Sequence, residues 1–310
     1  MLNGGIFRRK IFYLLAAYFL LGNTVKTIGQ DVFYLDTQND FLNYKGHGTD
    51  KYFTGGLLLG SMIHLKNNNT NYLSVALGMK TYTPSNIRLL PEELSSSSDY
   101  PYAGLTYLSI GYQVFNENNM SYSKGTFSWG NNGPSSGANL IQREVHKIIG
   151  DREPMGWSSQ LELGNFMQTH IEHTHSFLNA SWLKANMNAA MEIGSILNNF
   201  CLAMEFKIDH SKDSFIEFFS KKINTYTKPH ISIWAKPKLE FVIDNRLLQS
   251  NPNPSGIIPR NINKFIYHSS VGISFQMKKF SISLIQHYNT PEFKTAMAHA
   301  FGEIAFQLNL

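Results

Sequence analysis

The chain of 310 residues carries a net charge of +5 and one cysteine, Cys201. A lone cysteine excludes an internal disulfide framework, and cations that are scattered rather than blocked argue against a nucleic-acid partner. Cys201 itself reads as a small apolar side chain within a strand.

Arg8, Arg9 and Lys10 precede an apolar run from Ile11 to Leu21 and a polar tail that reaches Gly29. This is the pattern of a secretory signal peptide, expected over 1–29, and the apolar run is about half the ~20 residues that a spanning helix needs. No later apolar run has spanning length, so a membrane would have to be entered by strands.

Beyond Gly29 the dominant pattern is period-two alternation. In the first hairpin Phe53, Gly55, Leu57, Leu59, Ile63 and Leu65 are expected on one face, with Tyr52, Thr54, Gly56, Gly60 and His64 on the other. Leu73, Val75, Leu77 and Met79 then oppose Tyr72, Ser74, Gly78 and Lys80. Later segments set Ile231, Ile233, Leu239, Phe241 and Ile243 against His230, Ser232, Lys236, Lys238 and Glu240. The last sets Ile304, Phe306 and Leu308 against Glu303, Gln307 and Asn309.

Long strands with charge on one face and bulk on the other fit a transmembrane antiparallel β-barrel, all-β, over 30–310. Strands are predicted near 32–38, 52–65, 71–82, 102–115, 119–129, 157–169, 182–193, 200–209, 230–243, 265–276, 279–288 and 299–310. About twelve strands, an even number, bring both termini to one side. Tyr72, Tyr82, Tyr102, Tyr112 and Tyr288 near strand ends are expected in the aromatic girdles, which favours this barrel over a soluble sandwich.

With the termini in the periplasm, segments 39–54, 82–104, 130–157 and 289–299 fall at the outer rim, and short turns at 66–70, 116–118 and 277–278 at the inner. One connection, 210–229, would be a long inner loop with a possible helix around Ser214 to Lys222. At the outer rim Gly133-Pro134-Ser135-Ser136-Gly137 opens a helix predicted over 137–149, with Ser135 and Ser136 as loop and N-cap. Gln142 and His146 stand at i and i+4 on it, so they share a face. A histidine held beside a hydrogen-bonding neighbour is placed to act as a general base near neutral pH.

Four groups mark that rim: Asn39-Asp40 with Tyr52-Phe53-Thr54-Gly55-Gly56; Tyr82-Thr83-Pro84-Ser85 with Arg88; Asp99-Tyr100-Pro101-Tyr102-Ala103-Gly104; and Gly133 through Gln142, His146, Gly156-Trp157 and Gln160. In this order and spacing, from about Leu35 onward and including Pro291-Glu292-Phe293 and His299-Ala300-Phe301-Gly302, the chain resembles the outer-membrane lipid A 3'-O-deacylase family. The resemblance implies a twelve-stranded barrel, a Ca2+-dependent esterase, and an active site between barrel wall and outer loops, facing the lipid leaflet. It matches His146 to the catalytic histidine, Gln142 to its companion, Asn39 and Asp40 to the pair of the first strand, and Thr54 to the threonine of the second. Three departures stand out: Phe53 is inserted between Tyr52 and Thr54 of the Tyr-Thr-x-Gly type motif, Tyr100 occupies the place of an arginine in Asp-Arg-Pro-Tyr-Ala-Gly, and Arg88 alone represents a basic pair.

Ester hydrolysis needs an activated water and a stabilised oxyanion. His146 could take the proton, with Gln142 or a loop carbonyl fixing its tautomer. A hard cation on Asp40 and Asn39 could polarise the acyl carbonyl, and Thr54 could hold carbonyl or water. Arg88, Tyr82 and Ser135 are the candidate substrate contacts. A zinc site among His170, His173 and His175 is a rival, with His173 and His175 sharing a face at the periplasmic end. Serine catalysis is another, though no Gly-x-Ser-x-Gly elbow occurs. The expectation is an outer-membrane monomer of a Gram-negative bacterium that acts on lipid A of lipopolysaccharide. The alternatives are a phospholipase-type esterase and a non-enzymatic channel or structural barrel.

Overall fold

The computed structural model describes residues 32–44, 51–65, 70–96, 99–116, 118–209, 226–250 and 259–309. The expected signal peptide and the possible helix around Ser214 to Lys222 lie outside them. Twelve antiparallel strands close into one barrel in chain order, the first pairing with the last. They are β1 (Val32–Asn39), β2 (Tyr52–His64), β3 (Asn71–Thr83), β4 (Ala103–Asn116), β5 (Ser121–Asn132), β6 (Gly164–Asn179), β7 (Leu183–Gly194), β8 (Leu197–Ile208), β9 (Tyr226–Asn245), β10 (Phe265–Lys278), β11 (Phe280–Asn289) and β12 (His299–Asn309). Among the described residues there are also three short helices, α1 (Pro91–Ser96), α2 (Ala138–Ile149) and α3 (Arg246–Gln249). Closure removes every open strand edge, the condition for β-structure to cross a bilayer.

Alternation sorts the side chains as the sequence predicts along most of the wall. Leu77, Leu108, Ile110, Ile233, Ile273 and Leu284 are exposed on the outside. Inside, aromatic rings lie over glycines of the neighbouring strand: Tyr34 pairs with Gly60, Tyr107 with Gly78 and Trp234 with Gly272. The lumen is polar at mid-height, a cavity of about 650 Å³ lined by Lys80, Lys236, Glu172, Glu192, His170 and His268 among others.

Side chains cluster at both ends of the lumen. At the end carrying the termini, Val32, Met62, Tyr72, Phe115 and Tyr122 form an apolar cluster. Beside it Asp209 is held by Lys184 at 3.4 Å and Lys207 at 2.5 Å, all buried. At the other end Tyr52, Tyr100, Val242, Leu248, Ile262, Ile266 and Phe293 pack together.

Four expectations need correction. The sixth strand begins at Gly164, not at Trp157, and continues to Asn179, because Trp157 is buried in a 3-10 turn while the polar stretch after Thr169 alternates along the wall. His170 therefore faces the lumen between Glu172 and Glu192, at 3.7 and 3.5 Å, whereas His173 and His175 point outward. No group of three or more His, Cys, Asp or Glu among the described residues could hold a metal. Of the five tyrosines assigned to the girdles, Tyr112 and Tyr288 are exposed on the outside. Tyr72 instead plugs the lumen, Tyr82 stacks in its mouth and Tyr102 is buried beneath a loop.

The third correction is local. The pairing of β2 with β3 skips one residue between Phe53 and Gly55, and such a bulge re-aims side chains. Phe53 thereby turns into the lumen against Phe301 and Tyr82, leaving the face expected from strict alternation. The fourth concerns the N-cap of α2, which is Gly137 with φ 72, not a serine.

A candidate active site on the outer wall

Three neighbouring strands build one side of the site. Asn39 pairs across with Gly55, which places the end of β1 beside Thr54. Asn39 closes the 3-10 turn Asp40–Leu42 by accepting the Phe41 amide at 2.8 Å, so its side chain has a capping role. Asp40 is buried, and its carboxylate accepts the Lys51 amide at 3.0 Å, just before β2 begins. Thr54, re-aimed by the bulge, shares a 2.6 Å hydrogen bond with Thr83 of β3, and both are buried.

The other side is α2, laid on the outward faces of β3 and β4. Close approach is possible because Gly104 has no side chain: a Cβ there would collide with Ala138 Cβ and Ser136 Oγ. Thr106, two residues on and on the same outward face, donates to the Ser136 carbonyl at 2.6 Å. The base of the loop is pinned by Asn132, which donates to the Gly104 carbonyl at 2.9 Å and accepts the Leu163 amide at 3.0 Å. Ser135 is exposed and bonded to Asn131.

Gln142 and His146 fall on the buried face of α2, at 7% and 3% exposure. Trp157, packed on Tyr102 at 5.0 Å, donates its indole N–H to Gln142 Oε1 at 2.7 Å. Gly150, with φ 73, ends the helix in the left-handed region that favours glycine and reverses the chain. The reversal brings the Arg152 carbonyl onto the imidazole of His146. A carbonyl can only accept, so Nδ1 is the donor, and in a neutral imidazole that arrangement leaves Nε2 as the unprotonated nitrogen. The loop carbonyl expected as an anchor for His146 is thus in place, and Gln142 accepts from Trp157.

The loop after β3 wraps this end of α2. The Ile87 carbonyl accepts the Tyr102 hydroxyl at 3.0 Å and the Met155 amide at 3.0 Å, and Leu89 packs against the Tyr102, Ala138 and Trp157 cluster. Arg88, between them, is exposed at the rim. Asp99 holds the base of this loop, accepting from the amide and hydroxyl of Ser85, at 2.8 and 2.5 Å.

Tyr82 and Tyr100 are not part of this side of the wall. They stack at 5.3 Å with 6° between their planes, inside the mouth of the lumen. Burial pushes the Tyr100 phenol well above its usual range, so it stays neutral. The buried Arg260, from the connection between β9 and β10, donates through Nε to the Asp99 carbonyl. A guanidinium thus stands next to the position where the sequence lacks one.

Oxygen donors dominate the β1–β2–β3 corner: the Asp40 carboxylate, the Asn39 amide and the hydroxyls of Thr54 and Thr83. That chemistry suits a hard cation such as Ca2+, with one carboxylate and otherwise neutral oxygens.

The profile of the family described as "Outer membrane protein LpxR" matches residues 11–310. No curated protein matches the chain by sequence. Among solved structures, LpxR from Salmonella typhimurium is similar with a TM-score of 0.78 at 17% identity, covering 90% of this chain and 100% of its own. The β domain of the Bordetella autotransporter BrkA reaches 0.51 at 8% identity, covering 92% and 100%.

Proposed function

This chain belongs to the outer membrane protein LpxR family, which places it in the outer membrane of a Gram-negative bacterium, and on that premise we propose that it is a lipid A 3'-O-deacylase. The observation that carries the reading is His146: buried, fixed as the Nδ1–H tautomer, and held on a helix against the lipid-facing side of the wall. A base there meets an ester in the leaflet, not one in the lumen.

In the proposed reaction Nε2 of His146 takes a proton from water as the water oxygen adds to the ester carbonyl of the 3'-linked acyloxyacyl group. The same proton passes to the 3'-oxygen as its bond to the acyl carbon breaks. The products are a free 3'-hydroxyl and a released acyloxyacyl acid. Gln142, locked by Trp157, keeps the helix face in register, and Thr54 and Thr83 offer hydroxyls to the carbonyl or the water. Asp40, with Asn39, would hold Ca2+, which when bound supplies Lewis-acid polarisation of the acyl carbonyl. Arg88 and Ser135, both exposed on this rim, are the proposed contacts to the polar part of lipid A.

The closed barrel needs no partner strand, which supports action as a monomer. The cluster of Tyr52, Tyr100, Val242, Ile266 and Phe293 across one mouth of the lumen argues against a channel. The test is the mass of lipid A from a host with and without the protein. Loss of the acyloxyacyl mass supports the assignment, whereas unchanged lipid A with free fatty acid released from glycerophospholipids would assign a phospholipase.

A further inference from the structure

The face of α2 that is buried against the wall runs through Ala138, Gln142 and His146. Its two flanks differ in kind. One position after Gln142 and His146 come Arg143 and Lys147, ion-paired to Glu153 and Glu144. One position before Gln142 and His146 come Ile141 and Val145, and Ile148 continues that row one turn further on. Ile148 is 82% exposed and Val145 38%. An exposed apolar row beside a paired polar row is the pattern of a helix lying in a membrane interface. The helix packs on β3 and β4, the strands whose outward faces carry the exposed Leu77, Leu108 and Ile110, so its apolar row lies on the same side of the wall as that lipid-facing belt.

We infer that Ile141, Val145 and Ile148 of α2 sit among the acyl chains of the outer leaflet, so that the helix is a depth anchor that opens the His146 cleft at hydrocarbon level. The inference rests on the outer-membrane placement and deepens the proposed function by naming the residues that set the depth of the His146 site in the leaflet. Arg143 and Lys147 then face the headgroup layer.

The test uses the full barrel carrying Ile148→Trp, refolded into phosphatidylcholine vesicles whose acyl chains are brominated. The emission added over that of the parent, with its four native tryptophans, is read. An acyl-embedded indole is quenched about twofold or more by the brominated chains and is insensitive to aqueous iodide. Emission quenched by iodide and untouched by bromine overturns the inference, as does quenching by neither. The companion variant Ile148→Asp should lower hydrolysis of vesicle-embedded lipid A about tenfold or more while sparing lipid A dispersed in detergent. Equal loss on both substrates would mean a structural role instead. Quenching requires no turnover, so bromine quenching without any deacylation would refute the proposed activity and leave the anchor standing.

Discussion

The Nδ1–H of His146 donates to the backbone carbonyl of Arg152, a group six residues further on and beyond the end of the helix that carries the imidazole. The bond exists because Gly150 turns the chain back, so a backbone reversal supplies the partner of Nδ1.

Two substitutions separate these roles. Gly150→Val forces a β-branched residue to φ 73, which costs about 1–2 kcal/mol and displaces the carbonyl. Activity should drop about tenfold or more while the barrel remains folded. Arg152→Ala keeps the carbonyl and should stay within about twofold of the parent. Steady-state hydrolysis of lipid A in detergent reads both, and a larger loss for Arg152→Ala would mean that the side chain matters.

Trp157→Phe preserves the packing on Tyr102 but removes the donor to Gln142. A buried amide oxygen that loses its partner costs about 1–3 kcal/mol, so the loop should loosen and protease cleavage between 150 and 163 should rise. Unchanged proteolysis would mean that the contact holds nothing.

How much of this was readable in the residues varies with the cause. Alternation reveals a barrel because lipid outside and polar groups inside impose a period of two, and ten of the strands fall within a few residues of their expected places. β6 slips because Trp157 looks like the start of a strand, whereas its indole is committed to Gln142. The inward turn of Phe53 needs a bulge, and a single extra residue leaves no mark on composition. Gln142 and His146 are legible through helical spacing. The Arg152 carbonyl is not, since every residue has one, although Gly150 after the helix is a signal that could have located the reversal. Arg260 reaches Asp99 from 161 residues away, and one sequence holds no trace of that contact.

Glu292, in the loop before β12, gives a pH signature. Burial, reinforced by the negative Glu240, pushes its carboxyl up from 4.5 to about 7. The native state therefore binds this proton more tightly than the unfolded chain. Its contribution is fully present below pH 4.5 and is lost as pH rises to about 7. Glu292→Gln should remove this slope and be the more stable form above pH 7, by at most about 3 kcal/mol. Urea unfolding of the barrel in micelles at pH 5 and pH 8 checks it, and parallel behaviour of both proteins would contradict it.

With Asp40 the carboxylate among otherwise neutral oxygens, Ca2+ affinity should be low, about 10⁻⁴ to 10⁻³ M. Excess EGTA should abolish hydrolysis, millimolar Ca2+ should restore it, and Asp40→Asn should raise the Ca2+ needed for half-activity about tenfold or more. Full activity in EGTA would remove the cation from the reaction.

Whether His146 is the base is read from the mass spectrum of lipid A from a host expressing either the parent or His146→Ala, with equal amounts of folded barrel verified by heat-modifiable mobility. The acyloxyacyl mass should be lost with the parent and lipid A should stay intact with the variant. Equal deacylation by both would contradict that role.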